Sequence, residues 1–316
     1  MAVGGLPSSV LEAAGLGTAV AEPVGRGERV WIVRREDQSL VLRRCADESP
    51  RWLHAVLDGL AARFPVPRPL RVFSERSHLA GAAGTWEALS YLPGEEIGFD
   101  DDPSLEEVGA FLAAFHEVTA ATTGGTRPRA DGLRLDRMAG LVDWDGAAVT
   151  MGSPEGVDQL KALLERFVVD IEAVGYTELP RCFVHGDPTT FNVLAHGDPL
   201  RPSGLIDFEL ADVEPVVADI GFCLWRSGRP AQAAQELDLS KVRALLTGYR
   251  SVQDLTDQEL AAIALCVRGR GLQMLVKRTR LAVPDDGPLA QVRWLAAHEH
   301  EVIESMGRGL SSRHGR

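Results

Sequence analysis

The amino-terminal part of the chain alternates between short apolar runs and polar clusters suited to turns. Val30–Arg34 (VWIVR) and Leu40–Arg44 (LVLRR) flank Glu36-Asp37-Gln38-Ser39, which predicts two strands joined by a turn. Pro50 to Arg63 carries Leu53, Val56, Leu57 and Leu60 at helical spacing, and the prolines from Pro65 to Pro69 end that helix. Leu70–Phe73 and Thr85–Leu92 read as further strands before Pro93-Gly94. Beyond that point the period changes. Leu105–Ala121, Arg134–Val142 and Gly156–Val174 show i, i+3, i+4 apolar spacing, and a β-type island spans Arg181–Phe208. Helices resume over Val216–Trp225, Leu239–Tyr249, Asp257–Leu281 and Leu289–Met306. The pattern predicts a small β-rich domain over residues 1–93 and a larger, mainly helical domain over 94–316, with 307–316 a frayed tail.

Composition narrows the function. With 45% hydrophobic and 25% charged residues, the 316-residue chain is neither a disordered tail nor a disulfide miniprotein. Acidic residues outnumber basic ones, 45 to 33, for a net charge of -12, so a nucleic acid is excluded as the expected partner. A neutral or cationic small molecule fits better, with the protein a monomer or homodimer. Cys45, Cys182, Cys223 and Cys266 are widely spaced and read as reduced thiols. No secretory signal and no membrane-spanning run is visible, which points to the cytoplasm. The chain has only three lysines (Lys161, Lys241, Lys277) and one asparagine, Asn192. A mechanism needing a lysine in the first 160 residues is therefore excluded.

The candidate chemistry lies in the island. Asp187 is followed by Asn192 and, after Gly204-Leu205-Ile206, by Asp207. A carboxylate that accepts or orients a proton, beside an amide and a second carboxylate, suits phosphoryl transfer: one group positions the attacking hydroxyl while two hard oxygens hold Mg²⁺. The tripeptide H-G-D occurs twice, at His185-Gly186-Asp187 and His196-Gly197-Asp198. Only the first has an asparagine five residues on, and the second reads as a hairpin turn.

These residues resemble the aminoglycoside phosphotransferase family, small-molecule kinases with a protein-kinase-like fold. Val184-His185-Gly186-Asp187 with Asn192-Val193-Leu194, then Leu205-Ile206-Asp207-Phe208-Glu209, then Asp219-Ile220-Gly221 carry the resemblance. It implies an α+β, two-lobed fold with a β-rich N-lobe that binds nucleotide and a helical C-lobe that holds catalysis and substrate. Asp187 would be the catalytic base or the group that orients the hydroxyl, and Asn192 and Asp207 the Mg²⁺ ligands. His185 and Asp219 would give structural support, although Asp219 equally reads as an ordinary first-turn carboxylate. Glu209 would touch metal or substrate. Gly27, in Gly25-Arg26-Gly27, resembles the turn that covers the nucleotide. Backbone groups near Ser90 and Leu92, in the hinge-like Tyr91-Leu92-Pro93-Gly94-Glu95, would bind the purine of ATP or GTP.

Two positions depart from the family. Val41-Leu42-Arg43-Arg44 stands where kinases place a phosphate-binding lysine, so Arg43 takes that role, with Arg44 as the alternative on the opposite face. The following helix should carry a glutamate to pair with that cation, but Leu53 occupies the aligned position. The remaining acids nearby are Asp47, Glu48 and Asp58. His116 reads as a packed or capping residue. The basic stretch Arg268, Arg270, Lys277, Arg278 and Arg280 reads as solvated or internally paired, with binding of a substrate carboxylate as the lesser alternative. The expected reaction moves the γ-phosphate of ATP or GTP to a hydroxyl of an aminoglycoside or other cationic antibiotic, with a role in resistance. The alternatives are a kinase of a small amino alcohol or hydroxy-amino acid, of choline- or homoserine-kinase type, and a non-catalytic nucleotide-binding relative.

Overall fold

The structure, a computed structural model, describes residues 6–17, 19–24, 29–35, 38–45, 50–81, 84–97, 102–122, 134–197, 200–231, 234–285 and 287–307. By its contacts the chain divides into Met1–Glu95 with Ser203–Glu209, and Glu96–Pro202 with Leu210–Arg316.

The first unit runs α1 (Ser8–Ala13), β1 (Val20–Val24), β2 (Val30–Arg35), β3 (Gln38–Arg44), α2 (Arg51–Leu60), β4 (His78–Gly81) and β5 (Gly84–Ser90), and β6 (Glu95–Glu96) begins at its edge. Strands β1 to β5 form an antiparallel sheet in the order β1-β2-β3-β5-β4. Alternation sorts its two faces. Trp31, Leu42 and Ala88 are direct partners across three strands, and all are fully buried. They join Val33, Trp86, Phe73 and the apolar residues of α1 in one core, with the Trp31 and Trp86 rings 5.2 Å apart. One residue along, Arg43 and Glu87 are also register partners and belong to the other face. The segment Ser203–Glu209 returns to this unit through Leu205, whose N–H donates to the Pro65 carbonyl at 3.0 Å.

The expected strand at Leu70–Phe73 does not form. Pro69 makes an isolated bridge to Leu89, and Phe73 pairs with Arg76 around Ser74 and Glu75, both at positive φ. After the Leu70 N–H donates to the Ala88 carbonyl at 2.8 Å, the chain turns back at Ser74 and Glu75, and β4 takes the place beside β5. The turn residues 36 and 37 lie outside the described residues.

The second unit contains α3 (Asp102–Thr119), α4 (Trp144–Met151), α5 (Pro154–Ala173), β7 (Arg181–Val184), β8 (Val193–His196), the start of β9 (Arg201–Leu205), β10 (Asp212–Pro215), α6 (Val216–Ser227), α7 (Leu239–Arg250), α8 (Asp257–Leu281) and α9 (Pro288–Gly307). The helix expected over Arg134–Val142 is only a 3₁₀ turn at Met138–Leu141. Asp143 then caps α4 by accepting the Asp145 and Gly146 N–H groups, so the apolar spacing there belongs to a break and a restart. Ser153 and Pro154 open α5 in the same manner. Helix α8 is fixed at its start by a capping box of Thr256 and Glu259, and it is buried around most of its circumference. Helices α3 and α7 pack through glycines, because a Cβ on Gly248 would lie 1.7 Å from the Glu106 carbonyl and one on Gly109 would lie 2.0 Å from that of Leu245. The partner of β7 is β10, beyond the end expected for the β island, and Val184 stands opposite Asp212.

Candidate active site

Strand β7 delivers its last residue, Val184, to a loop whose backbone is fixed by one buried carboxylate. Asp219, in the first turn of α6, accepts the His185 N–H on Oδ2 and the Gly186 N–H on Oδ1, each at 2.7 Å. His116 of α3 stands behind it, with Nε2 3.1 Å from Asp219 Oδ2 and Nδ1 2.9 Å from the Tyr249 hydroxyl. Asp219, His116 and Tyr249 are all buried, so the bracket works away from water, where hydrogen bonds to a carboxylate are strongest. Gly186 has φ 83°, and a Cβ there would sit 2.2 Å from the Leu210 carbonyl, so only glycine fits the turn.

The loop then presents Asp187. Its N–H donates to His185 Nδ1 at 3.1 Å, and its carbonyl accepts the Asn192 Nδ2 amide at 2.8 Å. That bond uses the nitrogen of Asn192 and leaves Oδ1 as the atom available to a ligand. The Asp187 carboxylate accepts Arg270 Nη2 at 2.9 Å and remains about one third exposed. Arg270, on α8, is itself buried, lies over the Phe222 ring at 4.9 Å and donates a second bond to Gln273 Oε1 at 3.1 Å.

Gly186 and Arg270 also line a cavity of about 420 Å³. One stripe of α8 forms a wall: Arg270, Gln273, Met274, Lys277 and Arg280. Asp212 and Glu214 of β10 and Arg134 face the same space. Glu214 is tied to Arg181 at 3.1 Å and to Arg134 at 3.1 Å. Burial pushes its carboxyl up to about 7 despite these two cations.

The first unit holds a second polar cluster. Arg43 donates from Nε to Glu87 Oε1 at 2.5 Å and from Nη1 to Asp207 Oδ1 at 2.8 Å. Glu87 is 1% exposed and meets His54 Nε2 of α2 at 2.6 Å through Oε2, while His54 Nδ1 reaches Ser77 Oγ at 2.7 Å. Burial alone would raise the Glu87 carboxyl, but Arg43 and His54 outweigh it and bring it down to about 2. Arg43 is raised: burial opposes its charge, and Glu87, Asp207 and Glu209 restore it. Asp207 sits at φ 66°, a left-handed conformation that Asp tolerates better than most residues, with half of its side chain in solvent. Glu209 accepts Arg29 Nη2 at 2.8 Å and lies 3.9 Å from Arg43.

The pairing acid expected on α2 is therefore supplied by β5. Leu53 is buried in the α2 core, and Glu87, directly across from Arg43, does the pairing. Sequence reading missed it for want of a strand register. Arg44 is exposed, beside Gly84. Ser90 differs from expectation in one respect: its N–H is spent on the Arg68 carbonyl at 2.8 Å, because Arg68 lies along that edge of β5. No backbone hydrogen bond ties Leu92 to another described residue. Gly27, Asp47 and Glu48 lie outside the described residues. Arg270 was legible as basic but not as the partner of Asp187. Arg268, two residues earlier, is buried against Asp170 and Glu299. Burial pushes the Cys182 and Cys223 thiols up to about 12, so neither is a nucleophile near neutral pH.

Residues 21–255 match the phosphotransferase enzyme family (APH). The chain belongs to this family. It is 30% identical over 269 residues to a homoserine kinase of Rhizobium rhizogenes, covering 82% of this chain and 78% of that protein. The microcompartment-associated aminopropanol kinase shares its fold with a TM-score of 0.69 at 17% identity, over 95% of this chain and 98% of that one. An aminoglycoside phosphotransferase from Alicyclobacillus acidocaldarius does so with a TM-score of 0.64 at 15% identity, over 96% of each. The protein is thus a phosphotransferase of kinase-like α+β fold, an antiparallel sheet followed by a helical region. The non-catalytic alternative loses its main support, since the missing acid is present as Glu87. Membership implies a phosphoryl donor and a divalent cation. No helix among the described residues is long and apolar enough to cross a membrane.

Proposed function

We propose that this phosphotransferase moves the γ-phosphate of ATP, with Mg²⁺, to the hydroxyl of a small hydroxy-amino acid or related hydroxy acid; GTP is the alternative donor. The observation that carries the reading is Asp187: a partly exposed carboxylate on a backbone locked by Asp219 and Asn192, next to the cavity wall of Gly186 and Arg270. In that role Asp187 accepts or orients the proton of the attacking hydroxyl, and Arg270 keeps the carboxylate aimed. Arg43 grips donor phosphate, its guanidinium held in place by Glu87. Asn192 Oδ1 and the exposed Asp207 carboxylate are hard oxygens of the kind Mg²⁺ takes, and the cation would neutralise charge on the transferred group. Leu92 is the candidate backbone contact for the purine. Glu209, committed to Arg29, supports the phosphate side rather than the acceptor.

The choice of acceptor follows local charge, not the total. A net charge of -12 favours a cationic antibiotic, but the cavity wall carries Arg134, Arg270, Lys277 and Arg280 against Asp212 and Glu214. A polycationic aminoglycoside would meet like charges there. The relatives named homoserine kinase agree with a hydroxy-amino acid. The test is Mg²⁺-dependent ADP release across homoserine, choline, aminopropanol, hydroxy acids and aminoglycosides. Turnover with the hydroxy-amino acid or hydroxy acid group supports the proposal, and turnover confined to aminoglycosides overturns it.

A further inference from the structure

The α8 wall of the cavity is a cationic stripe whose far half has no neutralising partner among the described residues. Arg270 is committed to Asp187 and Gln273, and Arg134 to Asp136 and Glu214. Lys277 and Arg280 are exposed and have no hydrogen bond or ion pair among the described residues. Both line the cavity. At a helical rise of about 1.5 Å per residue, Lys277 stands about 10 Å and Arg280 about 15 Å along the axis from Arg270. The cavity, about 420 Å³, falls within the roughly 300–1,000 Å³ of pockets that enclose whole ligands, and a four-carbon amino acid would leave much of it to water.

We infer that the acceptor carries an anionic group, carboxylate or phosphate, which Lys277 and Arg280 bind about two to three helical turns along α8 from Arg270, the partner of Asp187. This rests on the proposed role of Asp187, and it extends that role from the reacting hydroxyl to the other end of the molecule. The acceptor is then longer than homoserine and acidic at its distal end. Two unpaired cations one helical turn apart hold such a group in a way that neither a neutral nor a cationic end can reproduce.

The experiment uses the full chain with Mg²⁺ and ATP. The carboxylate probes are 6-hydroxyhexanoate, 10-hydroxydecanoate and gluconate, each beside its amide. The phosphate probes are glucose 6-phosphate and 6-phosphogluconate beside glucose. Transfer is followed by ADP release, and binding of untransferred probes by thermal shift. Charged probes are expected to exceed their neutral partners at least tenfold in kcat/KM or apparent affinity. The preference should fall below threefold in Lys277→Ala/Arg280→Ala, and Lys277→Arg/Arg280→Lys should restore it. The carboxylate and phosphate arms identify which anion is taken. Equal use or binding of charged and neutral probes, or a preference that survives the double substitution, overturns the inference. Transfer without preference leaves the proposed reaction standing and removes the anion site. Preference in binding with no transfer that Asp187→Asn abolishes keeps the anion site and removes the reaction.

Discussion

Arg43 of β3 and Glu87 of β5 are direct cross-strand partners, joined at 2.5 Å on the face of the sheet opposite its tryptophan core. The acid that pairs with Arg43 comes from the neighbouring strand instead of the helix. Removing one member of so buried a pair leaves the other charge uncompensated. Glu87→Ala should cost about 3–5 kcal/mol in chemical denaturation. It should also raise KM for ATP, since Arg43 loses its anchor. A stable variant with unchanged KM would mean the pair is incidental to the donor site.

The same carboxyl sets an acid limit. It is brought down from 4.5 to about 2, so between those values the unfolded chain holds more protons than the folded one. Its contribution is complete above pH 4.5 and declines as pH falls toward 2. The stability gap between wild type and Glu87→Gln should accordingly narrow on acidification through that window. Denaturation curves at pH 6, 4 and 3 check it, and a gap independent of pH would contradict the assignment.

Asp219 accepts two backbone N–H groups of the Asp187 loop and is fully buried. Asp219→Asn can accept only through one oxygen, so one N–H is orphaned at a cost of about 1–3 kcal/mol. Because the loop carries Asp187, kcat should fall while KM for ATP changes little. Loss of ATP affinity with kcat intact would place Asp219 outside the catalytic loop's support.

Gly186 stands between these anchors at φ 83° against the Leu210 carbonyl. Gly186→Ala adds a left-handed penalty of about 1–2 kcal/mol to a backbone overlap. A lower melting temperature together with at least a tenfold loss of turnover is expected. A fully active, equally stable Gly186→Ala would mean the loop has another conformation.

The family was legible in the sequence because its signature is local: Asp187, Asn192 and Asp207 sit in one short island whose spacing survives without coordinates. Long elements were legible too, since α8 runs unbroken from the capping box at Thr256 to Leu281. What depended on distance along the chain was not. Glu87 becomes the partner of Arg43 only through strand register. Arg270 reaches Asp187 across 83 residues, and the cavity charge that opposes the chain's net charge arises from that folding. The errors at Leu70–Phe73 and Arg134–Val142 have a simpler cause, since apolar spacing does not reveal the tight turn at Ser74 and Glu75 or the restarting cap at Asp143.

The central claim is that Asp187 receives the acceptor hydroxyl. Asp187→Asn keeps the shape of the side chain and its place beside Arg270 but removes the charge. The decisive measurement is acceptor-dependent, Mg²⁺-dependent ADP release by wild type and Asp187→Asn, with ATP binding measured alongside. A loss of about 10²–10⁴-fold in kcat with ATP affinity retained is the expected result. Turnover unchanged in Asp187→Asn would contradict it.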